Sequence, residues 1–166
     1  MAAANDVSRR IGLPGVVLVI AGGVLVLVAF RFLDWYDPPA RADSAPRITF
    51  SELHGSADQL SGTGTATAYF DWLAWVLIIA MIGVGVAANL TVSAADVLRL
   101  VGFVTGIVGV AVTYFAVAQL HNAQVAAGGE RHNAFYNSTW GLWLVFAGFV
   151  LGAVGAGLGP RKAPPA

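Results

Sequence analysis

Cysteine is absent from the whole chain of 166 residues. That excludes disulfides, thiolate metal sites, covalent haem attachment and thiol nucleophiles. Whatever orders the loops must be packing, hydrogen bonds or a partner. Charge is scarce as well: 11% of residues are Asp, Glu, Lys or Arg, against about 25% in a soluble domain. The nine basic and nine acidic side chains cancel, so neither nucleic acid nor any other polyanion is expected as a partner.

What fills the chain instead is apolar. Hydrophobic residues make up 57% of it, and the mean hydropathy is +0.73. Four runs, 11–30, 72–90, 100–120 and 140–158, contain no Asp, Glu, Lys, Arg or His. At roughly 1.5 Å of rise per residue, each is long enough to cross a hydrocarbon core of about 30 Å. A soluble bundle needs a polar stripe on every helix, and these runs are apolar all round. The expected fold class is therefore an all-α membrane protein, a bundle of four transmembrane helices forming one membrane domain over 1–166. External loops are expected at 31–71 and 121–139, with a disordered tail at 160–166. Arg9 and Arg10 before the first run, and Ala40-Arg41-Ala42 after it, imitate a secretory signal and its cleavage site. The apolar stretch is too long and the site too distant for that, so the run is expected to remain as an anchor.

Orientation follows from the basic residues. Arg9, Arg10, Arg99, Arg161 and Lys162 share the side of the termini, in much shorter stretches of chain than Arg31, Arg41, Arg47 and Arg131 on the other. The positive-inside rule then places both termini in the cytoplasm. Pro14 suits the first turn of the first helix, Ser93 to Asp96 forms a capping-box-like start for the third, and Gly159-Pro160 ends the fourth.

All five tryptophans, Trp35, Trp72, Trp75, Trp140 and Trp143, fall at outer ends of these runs, with Tyr36, Tyr69 and Tyr136. An aromatic belt at headgroup level accounts for them, yet a belt ordinarily marks both interfaces. The one-sidedness makes Trp35, Tyr36, Trp72, Trp75, Trp140 and Trp143 a candidate rim for lipid or a protein partner. Asp34 and Asp71 stand beside Trp35 and Trp72 at similar depth. Both are polar members of that rim, and Asp71 is expected to cap the second helix.

Within the first loop, 37–47 is rich in Pro and Ala and reads as extended. Thr49-x-x-Glu52 is a capping box, and Phe50, Leu53, Ala57 and Leu60 recur at helical spacing. A short amphipathic helix is expected there, on the membrane surface or over the bundle mouth, followed by a flexible hinge at 61–67. His54, His121 and His132 match no closed metal motif, and no metal or cofactor is expected. Gly102-x-x-x-Gly106 and Gly148-x-x-x-Gly152 are small-residue spacings that serve helix packing, first within the chain and second between copies.

The spans hold no histidine pair for haem and no ionisable group at membrane depth, and the loops show no recognisable catalytic set or phosphate-cradling glycine loop. Neither an enzyme nor an ion-coupled carrier is expected. Through Asp34-Trp35-Tyr36, the long first loop and Trp140-Gly141-Leu142-Trp143, the chain resembles small four-helix membrane proteins of unassigned function from actinobacteria. Its arginine-over-lysine bias, in a background rich in Ala, Gly and Val, suits GC-rich genomes of that kind. The layout is similar in outline to claudins and tetraspanins, which rely on cysteines in that loop, so that likeness is architectural only. The expected role is an accessory or scaffold protein in a bacterial plasma membrane, surrounded by lipids and joined in a homo-oligomer or a larger envelope or respiratory complex. The alternative is a lipid or hydrophobic-ligand binding protein with the external loop as lid.

Overall fold

A computed structural model describes residues 12–37, 48–91, 94–129 and 131–160. Four helices in it are long and apolar enough to cross a membrane: α1 Leu13–Phe32, α3 Gly64–Leu90, α4 Ala95–Ala126 and α5 Trp140–Leu158. A short helix, α2 Phe50–Asp58, and two short strands, β1 Asp34–Tyr36 and β2 Ile48–Thr49, lie between α1 and α3. The architecture is consistent with a multi-pass membrane protein.

Around the bundle, α1 packs on α5, α5 on α4, α4 on α3 and α3 on α1. The seams are built from small residues. A Cβ added at Gly148 would meet the Gly22 carbonyl at 2.6 Å, and one at Gly155 the Gly15 carbonyl at 2.7 Å, so α1 and α5 touch nearly backbone to backbone. Gly102 and Gly106 of α4 lie against Ala156 and Ala153 of α5, while the Met81 side chain covers Gly152. In a bilayer, where apolar burial does not drive association, such close van der Waals approach is what holds helices together. The outward faces carry Val17, Ile20 and Val24 on α1, Ile79 on α3, Ile107 on α4 and Val154 on α5, all exposed. Surfaces of this kind are costly in water and at ease in hydrocarbon.

Pro14 occupies the first turn of α1, where the missing amide hydrogen costs nothing. At the opposite end of the chain's path, Gly159 at φ +52° stops α5. Arg99 closes that end by donating to the Pro160 carbonyl at 2.7 Å, a cation placed on the negative end of a helix dipole. Nearby, the buried Asn89 amide donates to the carbonyls of Gly85 at 2.8 Å and Gly155 at 3.0 Å, tying α3 to α5. Ser93, the stretch 38–47 and the tail 161–166 lie outside the described residues.

Three boundaries differ from the sequence reading. The third helix is not confined to 100–120 but runs over Ala95–Ala126. Its last turns carry His121, Asn122 and Gln124 beyond the apolar run, and nothing breaks the helix until Gly128 turns at φ +98°. The expected hinge at 61–67 is partly helical, since α3 begins at Gly64. Its start is pinned by Thr63, whose hydroxyl bonds to the Ala57 and Leu60 carbonyls, and by Gln119, which bonds to the Ala66 amide and the Gly62 carbonyl. As a result Asp71 does not cap a helix: it sits inside α3, in a π-helical turn at Tyr69–Leu73.

Candidate functional site

The residues singled out above converge on the loop-bearing end of the bundle, which is built in three layers. First, β1 pairs antiparallel with β2, matching Asp34 with Thr49 and Tyr36 with Ile48. On its other edge β1 meets the second loop: Tyr36 bridges Ser138, the Asp37 amide donates to the Asn137 carbonyl at 2.9 Å, and the Thr139 amide donates to the Trp35 carbonyl at 3.1 Å. The Thr139 hydroxyl also donates to the Asp34 carbonyl, and the Asn137 side chain reaches the Tyr36 hydroxyl at 3.1 Å. The segment 137–139 is therefore a strand-like clasp joining the two loops.

Second, α2 lies over the bundle with Phe50, Leu53 and Ala57 buried beneath it. Its N-terminus is held by the Thr49–Glu52 capping box: the Thr49 amide donates to Glu52 Oε2 at 2.7 Å, and the Thr49 hydroxyl donates to the same oxygen at 2.9 Å. The Thr49 backbone bond first, and its hydroxyl second, hold the Glu52 carboxyl below the usual glutamate range.

Third, an aromatic cluster glues this cap to the helices. Phe30 stacks on Phe50 at 4.0 Å, Trp35 and Phe70 lean on Phe50 at 5.2 and 5.3 Å, and Trp75 meets Phe30 edge-on at 5.5 Å. Trp35 also donates its indole N–H to the Ala29 carbonyl at 3.0 Å. Below them Tyr69 reaches Thr113 at 2.7 Å across the α3–α4 seam. Thr113 gives its single hydroxyl proton to the Gly109 carbonyl at 2.7 Å, so Tyr69 is the donor between the two.

This divides the six rim residues. Trp35 is 2% exposed and belongs to the interior, with Tyr36 half-buried beside it. Trp140, at 79%, and Trp72, at 53%, point outward, as do Trp143 and Trp75. Asp34 begins β1, whereas Asp71 is exposed on α3, with an oxygen 3.9 Å from Nε2 of His54. The four packing glycines lie within the bundle, away from this end. Among the described residues no group of three His, Cys, Asp or Glu is placed to hold a metal. His121 Nε2 instead donates to the His132 carbonyl at 2.7 Å, joining α4 to the second loop.

Beneath the cap, a space of about 40 Å³ remains among Trp35, Leu53, Phe70, Leu120 and Leu142. That is room for about one water rather than an acyl chain. Open grooves lie outside it. Two, of about 690 and 670 Å³, flank Tyr114 on α4. A third, of about 570 Å³, runs between the end of α1, α2 and the π-helical turn of α3. A second aromatic group beside the first two grooves leaves no sign in the sequence, because its members come from three separate segments. Tyr114 stacks on Phe135 at 5.2 Å, and Phe135 and Phe146 flank Trp143 at 6.2 and 5.9 Å. No family model, curated protein or solved structure matches this chain.

Proposed function

We propose that the chain is a non-enzymatic membrane scaffold, with both termini cytoplasmic and the cap outside, that associates with itself or with a larger complex through the outer ends of α4 and α5. One observation carries the reading: the interior of the cap is filled, while Tyr114, Phe115, Tyr136, Trp140 and Trp143 are all exposed at that end. Trp and Tyr of this kind supply large contact area at low entropic cost and dominate association energetics. The cap underneath is clasped by both loops and stapled by aromatic rings, so it offers a rigid surface with little ordering left to lose on binding. The distribution of basic residues supports the orientation, and the arginine-over-lysine bias in a chain rich in Ala, Gly and Val supports a bacterial membrane.

Purification in several mild detergents tests this. The native chain should elute as an oligomer or with a stoichiometric partner, and Trp140→Ala with Trp143→Ala should shift it to monomer. A native chain that is monomeric and alone in every gentle detergent contradicts the proposal.

A further inference from the structure

A different face carries a second inference. We propose that the groove between the end of α1, α2 and the π-helical turn of α3 binds the headgroup of a glycerophospholipid that bears both a phosphate and a primary ammonium, as phosphatidylethanolamine does. The groove is lined by Phe30, Arg31, Phe50, His54, Asp71 and Trp75, among others. It thus brings one fixed positive charge and one negative charge, from different helices, onto an aromatic floor.

Neither charge is held by a hydrogen bond among the described residues. Arg31 has no hydrogen bond or ion pair among the described residues. Asp71 faces His54 at 3.9 Å, beyond hydrogen-bond distance. A guanidinium pairs with phosphate by charge-assisted, often bidentate bonds. A carboxylate accepts from an ammonium, and the face of the exposed Trp75 attracts the same cation. A lipid bearing phosphate alone would set its anion near the Asp71 carboxylate, and a choline headgroup has no N–H to donate to it.

The position suits a lipid rather than a soluble molecule. Arg31 is in the last turn of α1, and Leu27, Val24 and Ile20 descend from it at helical spacing as exposed side chains. On α3 the exposed Ile79 lies one turn below Trp75. Because α1 rises toward the cap and α3 descends from it, both stripes lead from the groove toward the middle of the bundle. An acyl chain can follow them while the headgroup stays at the top.

Native mass spectrometry of the full chain, titrated separately with phosphatidylethanolamine, phosphatidylglycerol and phosphatidylcholine, tests the assignment. The ethanolamine lipid should be retained best. Arg31→Gln should weaken its retention about tenfold, as expected for loss of one charge-assisted contact, whereas Arg31→Lys should keep most of it. Asp71→Asn should erase the preference for ethanolamine over glycerol headgroups. Val104→Ala, on an exposed face of α4 outside both surfaces, should change nothing. Equal retention of the three lipids by the native chain, or retention indifferent to both Arg31→Gln and Asp71→Asn, overturns it. The groove and the proposed association surface lie on different helices, so either reading can fail alone.

Discussion

Tyr69 and Thr113 form a buried pair whose two halves are not equivalent. Removing the Tyr69 hydroxyl leaves Thr113 still bonded to the Gly109 carbonyl, so Tyr69→Phe should cost about 0.5–1.5 kcal/mol, the net worth of one hydrogen bond. Thr113→Val instead leaves the phenol proton buried without an acceptor, which should cost about 1–3 kcal/mol. Denaturant unfolding in detergent distinguishes the two, and equal losses would contradict the donor assignment. At this scale the sequence is a partial guide. It shows that Trp35 stands at a helix end, but whether an indole there faces headgroups or a core depends on what lies over it. Here α2 and the 137–139 clasp lie over it, and neither is visible from the neighbours of Trp35 in the chain. Asn89 is likewise inconspicuous inside an apolar run, because its bonding partners are ordinary backbone carbonyls, those of Gly85 and Gly155.

Among the elements, α2 depends most on a titratable group. Glu52 accepts from Thr49, and its carboxyl is held below the usual value of about 4.3. A group whose pKa falls on folding contributes stability that is fully present above its unfolded pKa and is lost as pH drops through the folded one. The hydrogen-exchange protection of α2, relative to the intrinsic rate at each pH, should therefore be high at neutral pH and fall below about pH 4, and Glu52→Gln should abolish that acid step. An α2 whose protection does not change with pH in the native chain contradicts the cap. The capping box and the Phe50, Leu53, Ala57 spacing made this helix legible, since both signals are local. The start of α3 and the end of α4 were not legible, since glycine and threonine at 61–67 imitate a hinge. What makes 64–68 helical is Gln119, more than fifty residues away in the chain.

For the whole molecule, length and polarity were enough to reveal four helices long and apolar enough to cross a membrane, because crossing hydrocarbon demands an uninterrupted apolar helix and little else. The order of helices around the bundle and the clasp between its loops arise from contacts that leave no periodic trace. Everything proposed about function rests on the cap and the second loop lying together on one side of a membrane, with the α3–α4 turn on the other. The absence of cysteine makes this directly measurable in intact cells with a membrane-impermeant maleimide and single substitutions His54→Cys, Tyr136→Cys, Asp96→Cys and Ile107→Cys. The account predicts that positions 54 and 136 react at once, that 96 reacts only after permeabilisation, and that 107, although exposed on α4, reacts with neither treatment. Labelling of 54 and 136 from opposite sides, or ready labelling of 107 from water, would contradict it.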